Sequence, residues 1–299
     1  MSVVIESRTH TAAPRARRVR EIVSAIGSRT WMIWLLFLVL VFVAAVFGSK
    51  VAPQGSTPPI EKALLDRLKP PFSTTDTGFH LLGTDALGRD LFSQVIRGAR
   101  LTVFIATVSM FIGSVIGISL GMVAGFYGGL VDRLLMRLAE AQTAMPMFLV
   151  AILLITLLGS NVINLLLILP TLVWPTFARI VRAETLRLRE TPFIEAAIAV
   201  GCTGRSIMWH HLRPNLLSRI VVLGVISTGQ VILAEAGLSF LGAGVQPPDI
   251  TWGLLIADGR QYLATSWWLT ITPGIVLGLT VLSLNMLGRR YANLAEARR

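Results

Sequence analysis

The sequence predicts an all-α polytopic membrane protein with six transmembrane helices, and three observations carry the prediction. The 299 residues are 54% hydrophobic and only 14% charged, with a mean hydropathy of +0.70. A soluble globular domain carries about 25% charged residues. Six separate segments are apolar over the roughly 17–25 residues a helix needs to cross a bilayer. The short basic connections between those segments all fall on one side, which fixes a topology.

Taken in order, residues 1–30 form a basic segment with Arg8, Arg15, Arg17, Arg18, Arg20 and Arg29 against two acids. The positive-inside bias keeps such a segment in the cytoplasm. The first transmembrane helix covers 31–48. Its apolar core, 31–47, is longer than the roughly 7–15 residues of a signal-peptide core, so it reads as an uncleaved anchor. Residues 49–100 make an extracytoplasmic segment, whose length frees it from the charge bias. Residues 101–288 form a core domain with five further spans, at 101–126, about 138–158, 162–180, about 216–235 and 267–287. Pro170 and Pro175 predict a kink in the fourth of the six. Six crossings leave both termini, including the tail 289–299, in the cytoplasm. The same parity puts the arginine-rich loop 181–215 inside.

Lys50, Lys62 and Lys69 are the only lysines among 27 basic residues, in a chain of formal net charge +11. The arginines lie between apolar runs rather than in one stripe, which points to topology and anionic headgroups and away from nucleic acid. The single cysteine, Cys202, excludes an internal disulfide and an all-cysteine metal site. His210 and His211 are sequence neighbours and diverge on a helix, so no metal centre is expected of them. No lysine follows a glycine, so the chain has no phosphate-binding loop of the Walker type and is not expected to hydrolyse ATP.

In the second span Gly113, Gly117, Gly121, Gly125 and Gly129 recur at every fourth residue. That spacing stacks them on one helical face, where a second backbone can approach closely in lipid. The same letters hold Gly-Ile-Ser-Leu-Gly at 117–121, a nucleophile-elbow pattern around Ser119. An elbow requires a strand-to-helix turn, and a mid-span helix offers none, so helix packing is the stronger reading.

The loop "TPFIEAAIAVGCTGRSIMWHHLRPN" at 191–215 is polar amid apolar neighbours. Thr191 is placed to cap a helix beginning at Pro192, and Gly201 to end it. Gly204 then permits a second short helix, which Pro214 is expected to terminate. Phe193, Ala197 and Val200 or Gly201 share one side of the first helix. A helix this short is marginal alone in water, so it needs support from the membrane domain or from a partner.

Glu195-Ala-Ala, Gly201 six residues later, and Pro214-Asn215 resemble the EAA motif of importer-type ABC transporter permeases. "LLGTDALGRDLFSQVIRGARLTVFIA" at 81–106, "GGLVDRLLMRLAEAQTAMPMFLVAILL" at 128–154 and "EAGLSFLGAGVQPPDITWGLLIADGR" at 235–260 resemble the dipeptide, oligopeptide and nickel subfamily, of the C type. The resemblance implies the type I ABC importer permease fold in a bacterial cytoplasmic (inner) membrane. It implies that Pro192, Phe193, Glu195, Ala196, Ala197, Gly201, His211 and Pro214 belong to a coupling helix and its surroundings, seated on a cytosolic ATPase. The implied partners are a second, B-type permease, two ATPase domains and an extracytoplasmic substrate-binding protein. ATP and Mg belong to the ATPases, and this chain binds no cofactor. Ile198 and Arg213 depart from the family pattern, which often has a basic residue and usually leucine there.

Gln230 and Glu235 are the pathway candidates, because the family lines its cavity with the fifth span, and Glu235 also suits the outer end of that span. Asn285 suits a contact between helices or the pathway. Arg137 and Glu140 are spaced to pair on one helix face, and Asp85, Arg89 and Asp90 suit a helix along the outer interface. An ion-coupled secondary transporter is the alternative, but it requires ionisable groups near mid-bilayer and commonly inverted repeats. The sequence offers few of the former and no clear repeat.

Overall fold

A computed structural model describes residues 31–48, 65–75 and 78–296. The expected cytoplasmic segment 1–30, residues 49–64 and the last three residues of the tail lie outside the described residues. The elements are α1 (Trp31–Gly48), a hairpin of β1 (Ser73–Thr75) and β2 (Gly78–His80), α2 (Leu91–Tyr127), α3 (Gly129–Ala144), α4 (Met147–Leu158), α5 (Val162–Arg189), α6 (Pro192–Ala199), α7 (Gly204–Phe240), α8 (Trp252–Gly259) and α9 (Trp268–Glu296). Five of these, α1, α2, α5, α7 and α9, are each long and apolar enough to cross a membrane.

The third span, expected as one helix at 138–158, is instead two helices meeting at 88°. Pro146 is the cause. The residue before a proline is driven out of the helical region, and Met145 is extended, at φ −83° and ψ 140°. A single proline hardly changes the apolar length of the segment, so the length rule does not reveal the break.

The glycine face of α2 lies on α5, the most extensive helix–helix contact among the described residues. A Cβ at Gly117 would stand 2.5 Å from the Trp174 carbonyl oxygen, and one at Gly121 2.5 Å from that of Ala178. Gly113 meets Val173 and Pro170, and Gly125 meets Arg182 and Thr185. Gly129 leaves the series: it opens α3 at φ +59° with open space around it. Residue numbers rise together along the contact, so α2 and α5 run parallel. The chain between them must therefore return across the membrane, and the α3–α4 pair is what carries it.

At one end of α2 the segment 81–90 forms turns rather than the expected interfacial helix. Gly83 and Gly88 take positive φ, and Asp85 accepts from Leu87 N, Arg89 N and Gln94 Nε2. Asp90 caps α2 by accepting from Ser93 N and meets the buried His80 Nδ1 at 3.0 Å, tying the hairpin to the helix. α2 consequently starts ten residues before its expected span. Near the same end α8 is fixed by Trp252, whose N donates to Thr102 Oγ1 and whose Nε1 donates to the Val95 carbonyl. At the opposite end of α2, Phe126 and Tyr127 pack against Gly204. The 191–215 loop and the 81–90 segment thus occupy opposite ends of the bundle. Side chains such as Leu36, Phe42, Phe111, Leu157 and Leu167 are exposed on its flanks, as lipid-facing surface requires.

Candidate coupling loop and membrane cavity

α6 forms where the sequence places it, with Pro192 at its first turn and Thr191 extended before it. The cap differs from expectation. The Thr191 hydroxyl donates back to the Leu188 carbonyl, and the Thr191 backbone carbonyl receives Ile194 N and Glu195 N instead. The far end is closed by Gly201 at φ +86°, with Gly201 N donating to Ile198 O and Cys202 N to Ala197 O. That pair of bonds is the Schellman arrangement, which a left-handed residue at this position permits.

One fully buried side chain, with half-buried Ala197 beside it, holds α6 to the bundle. Ile194 is fully buried in a cluster with Val181, Leu188, Ile207, Leu212 and Leu216. Pro192, Phe193, Glu195, Ala196, Ile198, Val200 and Gly201 are exposed, while Ala197 is half-buried. His211 is half-buried with its ring 6.4 Å from that of Phe193, and His210 turns toward the Ser206 carbonyl. Arg213 lies over the exposed Trp209 ring at 4.4 Å. The helix therefore presents a convex, mostly apolar face with one carboxylate.

Pro214 does not terminate the second helix. Thr203 caps a helix that continues from Gly204 to Phe240, and residues Ile207–Leu212 within it form a π turn. A proline in a regular α-helix clashes with the carbonyl four residues back and leaves it unbonded. The wider π turn next to Pro214 accommodates both effects. The second half of the loop, from Gly204, and the fifth span are thus one continuous helix.

Three ion pairs, two of them sharing Glu184, brace this end, and the sequence reading contains none of them. Glu184, buried on α5, accepts from Arg187 on its own helix and from Arg219 on α7. Asp132 on α3 forms a two-pronged pair with Arg182 on α5. The expected Arg137–Glu140 pair is 3.9 Å apart with both partners exposed, a geometry that contributes little.

Within the bundle a cavity of about 430 Å³ opens between the α3–α4 bend, α5 and α7. Gln142, Thr143, Thr171, Thr176, Ser227 and Gln230 supply its polar lining, Met145 and Met147 part of its apolar lining, and no charged residue lines it among the described residues. Gln230 thus lines a cavity, whereas Glu235 does not. Glu235 is 1% exposed, and its Oε1 accepts from Ser239 Oγ at 2.8 Å and from Thr251 Oγ1 at 2.9 Å. Asn285 donates to the Val281 carbonyl and lies beside Gly229, at the α7–α9 contact. Ser119 is exposed on α2 and donates to Val115 O.

Parallel packed spans, a re-crossing pair, an uncharged internal cavity and a loop helix presented on one end define a multi-pass helical transport subunit. Residues 117–299 match the family described as binding-protein-dependent transport system inner membrane component, and the chain belongs to that family. It is 34% identical over 85% of its length to the di/tripeptide transport system permease protein DppC of Pseudomonas aeruginosa, covering 83% of that protein. It is 38% identical to the oligopeptide transport system permease protein OppC of Haemophilus influenzae, over 72% of this chain and 69% of that one. It is 37% identical to the glutathione transport system permease protein GsiD of Pectobacterium atrosepticum, over 70% and 69%. Its fold matches inward-facing conformations of the MetNI methionine ABC transporter, with a TM-score of 0.56 and 22% identity over 68% of this chain and 97% of that one. The fold is accordingly that of a type I importer permease, and the chain is a permease of a binding-protein-dependent ABC importer rather than an ion-coupled carrier. In this family the permease is the membrane component and the ATPase resides in separate subunits.

Proposed function

We propose that this chain is one of two permease subunits of an ATP-driven importer for peptides or related small molecules in a bacterial cytoplasmic membrane. Its companions are a B-type permease, two ATPase domains that hold ATP and Mg, and an extracytoplasmic substrate-binding protein. Cargo passes along the cavity at Gln230, and the loop 191–215 receives the ATPase stroke. The cargoes for which the relatives are named, peptides and glutathione, support the substrate class.

The observation that carries the coupling role is the construction of α6. Ile194 anchors it, Gly201 ends it, and Pro192, Phe193, Glu195 and Ala196 remain outward. Glu184 and Arg219 brace the helices on either side. An eight-residue helix cannot hold itself in water, so this exposed apolar face is suited to a partner's groove. Purifying the tagged chain from native membranes and identifying its stoichiometric companions tests the reading. A second six-span permease and a Walker-motif ATPase are expected; recovery of the chain alone, in detergents that preserve such complexes, defeats it.

A further inference from the structure

Pro175 has no N–H to offer the carbonyl four residues before it, so α5 leaves the Thr171 oxygen without its helical donor. The side chain of Gln142 fills that place. Its Nε2 donates to the Thr171 carbonyl, and its Oε1 accepts from Trp174 Nε1 at 2.7 Å. Two further contacts run along the same pair of helices. Ala139 is buried against Trp174 and Ala178, and Asp132 pairs with Arg182 nearer the loop. α3 is therefore fastened to α5 at three successive points, with Gln142 the last of them.

Beyond that point the chain breaks. Gln142 lies three residues before Met145 and Pro146, where α4 departs at 88°. At its other end α5 stops at Arg189, immediately before the loop that carries α6. Gln142, Met145 and Thr171 also line the cavity that Gln230 faces. We infer that Gln142 is a positioning residue for transport. It makes α3 move with α5, so a displacement of the 191–215 loop is delivered to the α3–α4 bend and reshapes the cavity wall. This rests on the coupling role proposed for that loop.

The test measures uptake and ATP hydrolysis together in proteoliposomes holding the complete transporter. Gln142→Leu keeps the bulk of the side chain and removes both hydrogen bonds. ATP hydrolysis close to that of the parent is expected, with uptake per ATP lower by about tenfold, the combined scale of two hydrogen bonds. Pro175→Ala separates positioning from simple repair of the backbone, because alanine returns an N–H to Thr171 without restoring the Gln142 fastening between α3 and α5. In the Gln142→Leu/Pro175→Ala double variant, thermal stability is expected to recover while uptake per ATP stays low. Recovered uptake in the double variant overturns the inference, as does parent-like uptake per ATP in Gln142→Leu. If Gln142→Leu does not assemble, Gln142→Met, which matches the length of the side chain and likewise removes both hydrogen bonds, takes its place, and an unchanged uptake-to-ATP ratio there overturns it equally. Gly201→Glu, run alongside, keeps the two readings apart. Normal transport by that variant defeats the loop's coupling role itself, whereas uncoupling there beside a parent-like Gln142→Leu defeats only the role of Gln142.

Discussion

The carboxylate of Glu184 on α5 is buried and holds Arg219 on α7, so the two helices that flank the exposed loop are joined by one ion pair. Arg187, one turn further along α5, accepts no such bridging role because it shares the helix of its partner. Removing a buried carboxylate between two cations leaves both without their acceptor. Glu184→Ala is expected to cost about 1.5–3 kcal/mol, the range for hydrogen bonds to charged groups, at the lower end because both arginines are about half exposed. A lowered melting temperature of the purified subunit, together with weaker retention of the ATPase, is the expected result. Unchanged retention would confine Glu184 to internal stability.

Gly117 and Gly278 make opposite predictions from the same residue type. A methyl at Gly117 meets the Trp174 carbonyl at 2.5 Å, with Phe177 beside it, so Gly117→Ala must push α2 away from α5. Overpacking of this kind costs about 1–3 kcal/mol. Nothing lies within 4 Å of the corresponding position at Gly278, and alanine there gains up to about 1 kcal/mol in helix propensity. Thermal unfolding of the two single variants in detergent should move in opposite directions.

At Gly201 the constraint is conformational rather than steric. There is open space around it, but φ is +86°. A β-carbon in this region costs about 1–2 kcal/mol, and asparagine tolerates it better than other residues. Coupled uptake is therefore expected to fall in the order Gly, Asn, Ala, with Gly201→Glu lowest because it adds charge to a docking face. An order in which Ala exceeds Asn would place the requirement in side-chain volume instead of backbone angle.

Much of this fold was legible because lipid enforces a simple rule on apolar length. Five of six spans were located from it, and the glycine spacing at 113–125 identified a contact face. The partner residues Trp174 and Ala178 were not legible, since nothing local names the opposing helix. Pro146 is visible in the letters, but apolar length alone does not register it. Pro214 misled for the converse reason, since its usual role as a helix stop was absorbed by a π turn that leaves no simple sequence mark. Glu184–Arg219 and Gln142–Thr171 join residues 35 and 29 positions apart. A carbonyl orphaned by Pro175 announces that a donor is needed without saying which side chain provides it.

Gln230 and Glu235 lie on the same helix and were grouped together by sequence, yet their surroundings predict different phenotypes. Gln230 is exposed in the uncharged cavity, so Gln230→Ala is expected to leave the stability within about 0.5 kcal/mol of the parent, as surface substitutions do. Its effect should be on the cargo concentration giving half-maximal uptake. Glu235 is enclosed, and its Oε1 gathers Ser239 from its own helix and Thr251 from the cap of α8. Glu235→Ala strands both hydroxyls and opens a void, for a cost of about 2–4 kcal/mol. Because Thr251 precedes α8, the loosening should concentrate in residues 241–259, far from the 191–215 loop. Hydrogen exchange is the decisive measurement. Faster exchange confined to 241–259 in Glu235→Ala identifies a structural clasp on α8. Unchanged exchange with altered cargo selectivity would return Glu235 to the pathway.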